Sequence, residues 1–278
     1  MIRRYILLAI LGIGLILTVF QTLSVSLSFI KSLAIKVDKP LSFRFPAYNS
    51  VLQNCVKGQQ VDYNLVTHSY MKQLDQAVDA LAHVSPMRMV DKKERVCFWL
   101  NAYNLLALKE VADHYPKVAH GLLANDFANR KFTIGGQEIT LDQLYRFNLL
   151  PVIRSDDPLD IFLACGGRMG YPALLNHVIE RSDLLSDRKF AVYQFINNPN
   201  NVQFDANHGV FRISLFFQWH EDLLEPTYGP IHAFVNSYLP AEQQLDLSRA
   251  DLLQTFLDHF DWRLNDTAYE NTPSKEKK

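Results

Sequence analysis

Apolar side chains recur every three or four residues along residues 69–83, where Leu74, Ala77, Val78 and Leu81 share one side, and residues 48–56 repeat the spacing. Both stretches predict amphipathic helices. Between them, residues 58–63 start at Gly58 and predict a turn with a short extended piece. Residues 87–114 predict one long helix. Its first half carries Arg88, Asp91, Lys92, Lys93, Glu94 and Arg95, whereas residues 96–108 are apolar on nearly every face, the pattern of a helix running through a core. The period then changes. Phe132-Thr133-Ile134-Gly135-Gly136-Gln137-Glu138-Ile139 predicts a hairpin turning on its two glycines, and Thr140 is placed to cap a helix over 141–150. Residues 160–164 form a short apolar run into Cys165-Gly166-Gly167, predicted as a buried strand ending in a glycine-rich turn. Ser182 is placed to cap a helix reaching 196, and residues 202–213 predict a second hairpin turning at Asn207-His208-Gly209. Helices account for most of the rest. The fold class expected is α+β, a helix-rich single domain with small hairpins or sheets, not a doubly wound parallel sheet.

The N-terminus follows a different pattern. Arg3 and Arg4 precede twenty-six residues, 5–30, without a charge, and a bilayer core needs roughly 20 apolar residues in a helix. One N-terminal transmembrane or signal helix over residues 1–35 is therefore expected. A linker over 36–47, a globular domain over 48–268 and a frayed tail over 269–278 complete the organisation. Positive charge ahead of the segment predicts a cytoplasmic N-terminus and an extracytoplasmic domain, periplasmic in a Gram-negative bacterium. Small residues at Ser24, Ser26 and Ser28 leave cleavage as the alternative, which would give a secreted product.

Charge narrows the partners. Lys+Arg 28 against Asp+Glu 29 gives a net charge of -1, which supplies no basic stripe for a nucleic acid. The expected partners are the membrane, through the N-terminal helix, and a small molecule or protein. Cys55, Cys97 and Cys165 are too few for a disulfide framework and contain no C-x-x-C pair. One bridge or simple core packing are the readings for them. Neither a metal nor a cofactor is expected, since no H-E-x-x-H, P-loop or dinucleotide fingerprint occurs.

Three constellations carry candidate chemistry. Asn101 and Asn104 share a face of the apolar helix with Cys97. They form either a polar floor to a site or a lock on neighbouring backbone. Cys165, followed by three glycines in five residues, has the setting of a nucleophile beside amides that could hold an oxyanion. His220 and His259 are its candidate bases. Each lies beside aromatic and acidic residues, in Trp219-His220-Glu221-Asp222 and in Asp258-His259-Phe260-Asp261-Trp262. The candidate catalytic set is thus Cys165, His259 and His220, and the candidate ligand-binding set Asn101, Asn104, Asp261, Asn265 and Trp219.

Several of these elements, in this order, resemble the DUF547 family. They are Val61-Asp62-Tyr63, Phe98-Trp99-Leu100-Asn101-Ala102-Tyr103-Asn104, the hairpin before Thr140-Leu141-Asp142, the Cys165-Gly166 turn, Ile213-Ser214 before Trp219, and Phe260-Asp261-Trp262-Arg263-Leu264-Asn265. The resemblance spans about residues 48–266. It implies a fold more than an activity, because the family is one of unknown function. The family pattern has a histidine before the C-G turn, a second cysteine after it and a glutamate after the L-D element. Asp160, Gly170 and Tyr145 stand at those positions here. The resemblance therefore implies a ligand- or partner-binding, catalytically degenerate member, with a thiol-dependent hydrolase or acyl transferase using Cys165 as the alternative.

Overall fold

A computed structural model describes residues 43–117, 130–205, 210–244 and 254–269. The expected N-terminal helix (1–35), most of the linker, the turn at 207–209 and nearly all of the tail lie outside the described residues. No described helix is long and apolar enough to cross a membrane.

Helix α1 (Pro46–Cys55) leads into a two-stranded hairpin, β1 (Val56–Lys57) with β2 (Gln60–Val61), turned at Gly58. A π-helical turn, Val66–Tyr70, then enters α2 (Met71–Leu81), whose Leu74, Ala77 and Leu81 are buried. Helix α3 (Lys92–His114) crosses the core with an almost unbroken run of buried residues from Val96 to Ala112. At 1.5 Å per residue it is about 35 Å long, enough to reach most of the domain. It starts at Lys92 rather than at 87, because the Asp91 carboxylate accepts from the Glu94 N–H and fixes the first turn. Pro86–Arg88 is a separate 3₁₀ turn.

The glycine hairpin forms as expected. Strands β3 (Lys131–Ile134) and β4 (Gln137–Thr140) pair antiparallel, with Gly135 and Gly136 at φ +59° and +77°. Thr140 and Gln143 then make a reciprocal capping box at the start of α4 (Leu141–Leu144). The helical path runs on past 150, through a π-helical turn (Tyr145–Leu149) and α5 (Leu150–Ser155).

Residues 160–164 depart from expectation. Residues 160–163 lie in a buried 3₁₀ helix, Pro158–Leu163, and Ala164 follows it as an extended cap, so no strand forms here. Asp157 caps it by accepting from the Leu159 N–H, and an apolar run this short cannot distinguish a strand from a tight helix. Helix α6 (Leu184–Ile196) begins after Asp183, with no side-chain cap; the Ser182 hydroxyl donates to the Asp183 carboxylate instead.

The second hairpin, β5 (Val202–Asp205) with β6 (Val210–Ser214), is antiparallel. After α7 (Leu215–Trp219), α8 (Glu221–Tyr228) and α9 (Ile231–Tyr238), strand β7 (Gln254–His259) adds parallel to β6. The architecture is thus helix-rich with small sheets. A single core contains Tyr48, Tyr63, Leu100, Leu105, Phe162, Phe216 and Phe217.

Beneath α6 lies a charged cluster. Arg188 bonds Asp160 at 2.7 Å, contacts Asp157 and lies 3.8 Å from Asp156. Asp160 is wholly buried, and burial raises its carboxyl to about 6 despite the guanidinium. The folded state therefore holds this proton between about pH 4 and 6, where the unfolded chain releases it. Stability falls as pH rises through that window, by on the order of 2–3 kcal/mol. Asp160→Asn mimics the protonated form. In urea unfolding of the full chain, the variant should gain on wild type as pH goes from 4 to 6.5. A stability difference that stays constant over that range refutes the assignment.

Candidate functional site

The helix α3 asparagines act on backbone. Asn101 donates to the carbonyls of Cys97 and Ile179 at 2.8 Å and accepts from the Ile179 N–H at 2.9 Å. Asn104 donates to the Leu163 carbonyl at 2.9 Å and accepts from the Cys165 N–H at 2.8 Å. Each amide thus ties a remote loop to α3, and Asn101 also lines a cavity of about 200 Å³ with Cys97, Phe98 and Ile179.

Cys165 sits behind this lock. It is 4% exposed, and burial raises its thiol to about 11, although the N–H groups of Gly167 and Leu174 donate to the sulfur. At neutral pH the sulfur is a thiol, the weakly nucleophilic form. Asn265 lies against it, Nδ2 at 3.9 Å, while its side-chain Oδ1 accepts from the Tyr63 hydroxyl at 2.7 Å. All three cysteines are free and buried.

The glycine-rich turn is occupied by the fold. The Met169 and Gly170 N–H groups donate to the carbonyls of Arg263 and Asp261, both at 2.9 Å. A Cβ on Gly170 would stand 2.8 Å from the Asp261 nitrogen and from the Phe260 ring, so only glycine lets the C-terminal segment come this close. Amides expected to hold an anion are engaged in joining residues 167–170 to 261–265.

His220 and Trp219 belong to a cleft of about 540 Å³. Its walls include Tyr103, Tyr145, Tyr171 and Trp219, and its rim carries Asp142, Arg146, Arg154 and Asp222. Tyr145 opens the π-helical turn after α4, a local widening of the helix often found at functional sites. His220 sits between α7 and α8, where its Nδ1 lies 2.7 Å from the Phe216 carbonyl. A carbonyl only accepts, so Nδ1 carries the proton. Nε2 is then the acceptor for the Tyr145 hydroxyl, 2.5 Å away. Burial lowers the His220 pKa, which keeps the ring neutral and preserves this arrangement. Burial likewise holds the Tyr145 phenol well above its ordinary value, so it remains a hydroxyl. On the rim, Arg146 pairs with Asp142 at 2.8 Å and Arg154 with Asp222 at 3.1 Å. The rim is therefore polar but balanced in charge.

The predicted site residues consequently divide. Asn104, Asn265 and Cys165 lie together in the interior, Asn101 is buried one turn earlier on α3, and Trp219 with His220 lines the cleft. His220 bonds the Tyr145 hydroxyl. His259 is hydrogen-bonded through Nε2 to the Asn200 carbonyl at 2.8 Å. Asp261 is held by Arg263, with Nε at 2.9 and 3.1 Å from its two oxygens. Sequence reasoning missed Tyr103 and Tyr171, and noted Tyr145 only as a departure from the family pattern. Among the described residues, no group of three His, Cys, Asp or Glu side chains could hold a metal ion.

Residues 87–195 match the family model described as a protein of unknown function, DUF547. No curated protein and no solved structure matches the chain. The match covers α3, the glycine hairpin, the π-helical turn and the Cys165 loop. Residues 61–63 and 260–265 lie outside it but pack directly on it, as the stack of Tyr63 on Tyr115 and the bond from the Met169 N–H to the Arg263 carbonyl show.

Asn104→Leu keeps most of the volume but strands the Leu163 carbonyl and the Cys165 N–H in the core. With roughly 1–3 kcal/mol per buried unsatisfied group, a loss of about 2–5 kcal/mol is expected in denaturant unfolding. A loss under about 1 kcal/mol would show that the two loops do not depend on this amide.

Proposed function

Starting from a chain that carries a DUF547 domain at residues 87–195, we propose that it is a ligand-binding domain, held at a membrane on its outer side by residues 5–30. The observation that carries the binding reading is the Tyr145–His220 hydrogen bond inside an open cleft. A buried histidine with one tautomer fixed by a backbone carbonyl orients the tyrosine hydroxyl, so a ligand meets a preset oxygen that can accept from it. Aromatic walls supply contact area, and the polar groups fix orientation, the usual division of labour in a small-molecule site. The charge-balanced rim favours a neutral, hydroxyl- or carbonyl-bearing ligand over an ion.

Cys165 offers no comparable feature, because its thiol is enclosed and raised by burial.

Thermal-shift screening of the full chain with a panel of small neutral polyols and amides tests the cleft. Compounds that raise Tm should lose about tenfold in affinity in Tyr145→Phe, the worth of one hydrogen bond. Equal binding by the phenylalanine variant and by His220→Gln would remove the cleft from consideration. The anchor has its own test. Alkaline carbonate washing should leave the full chain in the membrane pellet, whereas release with a mature N-terminus near Ser24–Ser28 means a cleaved leader.

A further inference from the structure

Tyr171 and Trp219 do not end the aromatic wall of the cleft. Trp219 packs 4.8 Å from Phe260 and 6.0 Å from Trp262, centroid to centroid, and Phe260 lies 4.5 Å from Trp262. Tyr171 joins the group at 5.0 Å from Phe260 and 6.3 Å from Trp219. These rings come from the glycine-rich loop, the end of α7 and the C-terminal segment. Their outer members are open to solvent, Trp219 at 41% and Trp262 at 59% exposure. Exposure of two tryptophans side by side forfeits apolar burial that a purely structural stack would recover.

We propose that this platform and the cleft together bind a neutral oligosaccharide, with the cleft taking one end and the tryptophans the following units. The proposal rests on the cleft reading above and names its ligand class. Pyranose rings present a flat C–H face that packs on an aromatic face, and hydroxyls at their edges that both donate and accept. The groups around the platform match that requirement. Asp261 with Arg263, Asp222 with Arg154 and Asp142 with Arg146 each place acceptors beside donors without net charge. A single-stranded nucleic acid would also stack on such rings, but it needs a basic groove, and these arginines are paired with carboxylates in a chain of net charge -1. A proline-rich peptide packs on aromatic grooves as well. Its backbone offers mainly carbonyl acceptors and would leave the remaining acceptor capacity of the three carboxylates unused.

Isothermal titration calorimetry on the full chain, in a detergent without a sugar headgroup, decides the matter. The probes are a β-1,4-linked glucose tetramer and its N-acetylamino counterpart, with a decaproline peptide as the competing class. At least one tetramer should bind wild type, Trp262→Ala should weaken it roughly tenfold, and Trp262→Tyr should retain most of the affinity. Trp262 is largely exposed, so the alanine variant should keep its fold, checked by an unchanged unfolding midpoint. Absence of binding by both tetramers, tetramer binding indifferent to Trp262, or binding of decaproline alone overturns the proposal. The two readings fail separately. A polyol bound in a Tyr145-dependent manner, with neither tetramer bound, leaves the cleft intact and removes the oligosaccharide. Tetramer binding that needs Trp262 but not Tyr145 keeps the platform and removes the cleft.

Discussion

Asn104 holds the Leu163 carbonyl and the Cys165 amide from a largely apolar stretch in the middle of the core-crossing helix, and the loop after Leu163 hangs on that pair of bonds. A buried backbone group without a partner costs about 1–3 kcal/mol, so an irregular loop can enter a core only where a side chain replaces the missing ladder. One turn earlier on the same helix, Asn101 does this for Ile179. The loop over 163–171 is thereby fixed against α3, and its Met169 and Gly170 amides are left to capture residues 261 and 263. The C-terminal segment, the tryptophan platform and the position of Tyr171 follow from that sequence of constraints.

The cleft depends on a second kind of local irregularity. A regular helix after Thr140 would carry Tyr145 on a 3.6-residue repeat, but the π-helical turn Tyr145–Leu149 interrupts it where Tyr145 meets His220. His220 occupies the break between α7 and α8, where its ring satisfies the Phe216 carbonyl at the helix end. Two irregular helix positions, 75 residues apart, produce one hydrogen bond at 2.5 Å. Because burial disfavours the charged form of both rings, the pair stays neutral and the proton position is defined.

Charge is handled in two ways in the molecule. In the interior, Asp156, Asp157 and Asp160 share Arg188, and the fully buried member is raised toward neutrality because one cation cannot offset burial and two like charges. At the cleft and platform, carboxylates and guanidinium groups pair one to one near solvent, where such pairs add little stability but present both donors and acceptors. That contrast separates a structural cluster from a surface suited to hydroxyl-rich ligands.

Local signals determined a large part of the fold. Hydrophobic spacing located α1, α2 and the core-crossing helix, and Gly135-Gly136 with Thr140 specified a hairpin followed by a capped helix, because turn and cap chemistry acts within a few residues. The order of short motifs pointed to DUF547, which the match over 87–195 bears out. Asn101 and Asn104 stood out as amides in an apolar wall, but their backbone partners lie 78 and 59–61 residues away, so those bonds became visible only in three dimensions. The 3₁₀ path of 158–163 was equally hidden, since the short apolar run over 160–164 fits a buried strand as well. The parallel pairing of β7 with β6, the meeting of Tyr145 with His220, and the assembly of Tyr171, Trp219, Phe260 and Trp262 are contacts between distant segments. They are set by which surfaces close on the core, and tertiary structure alone decided them.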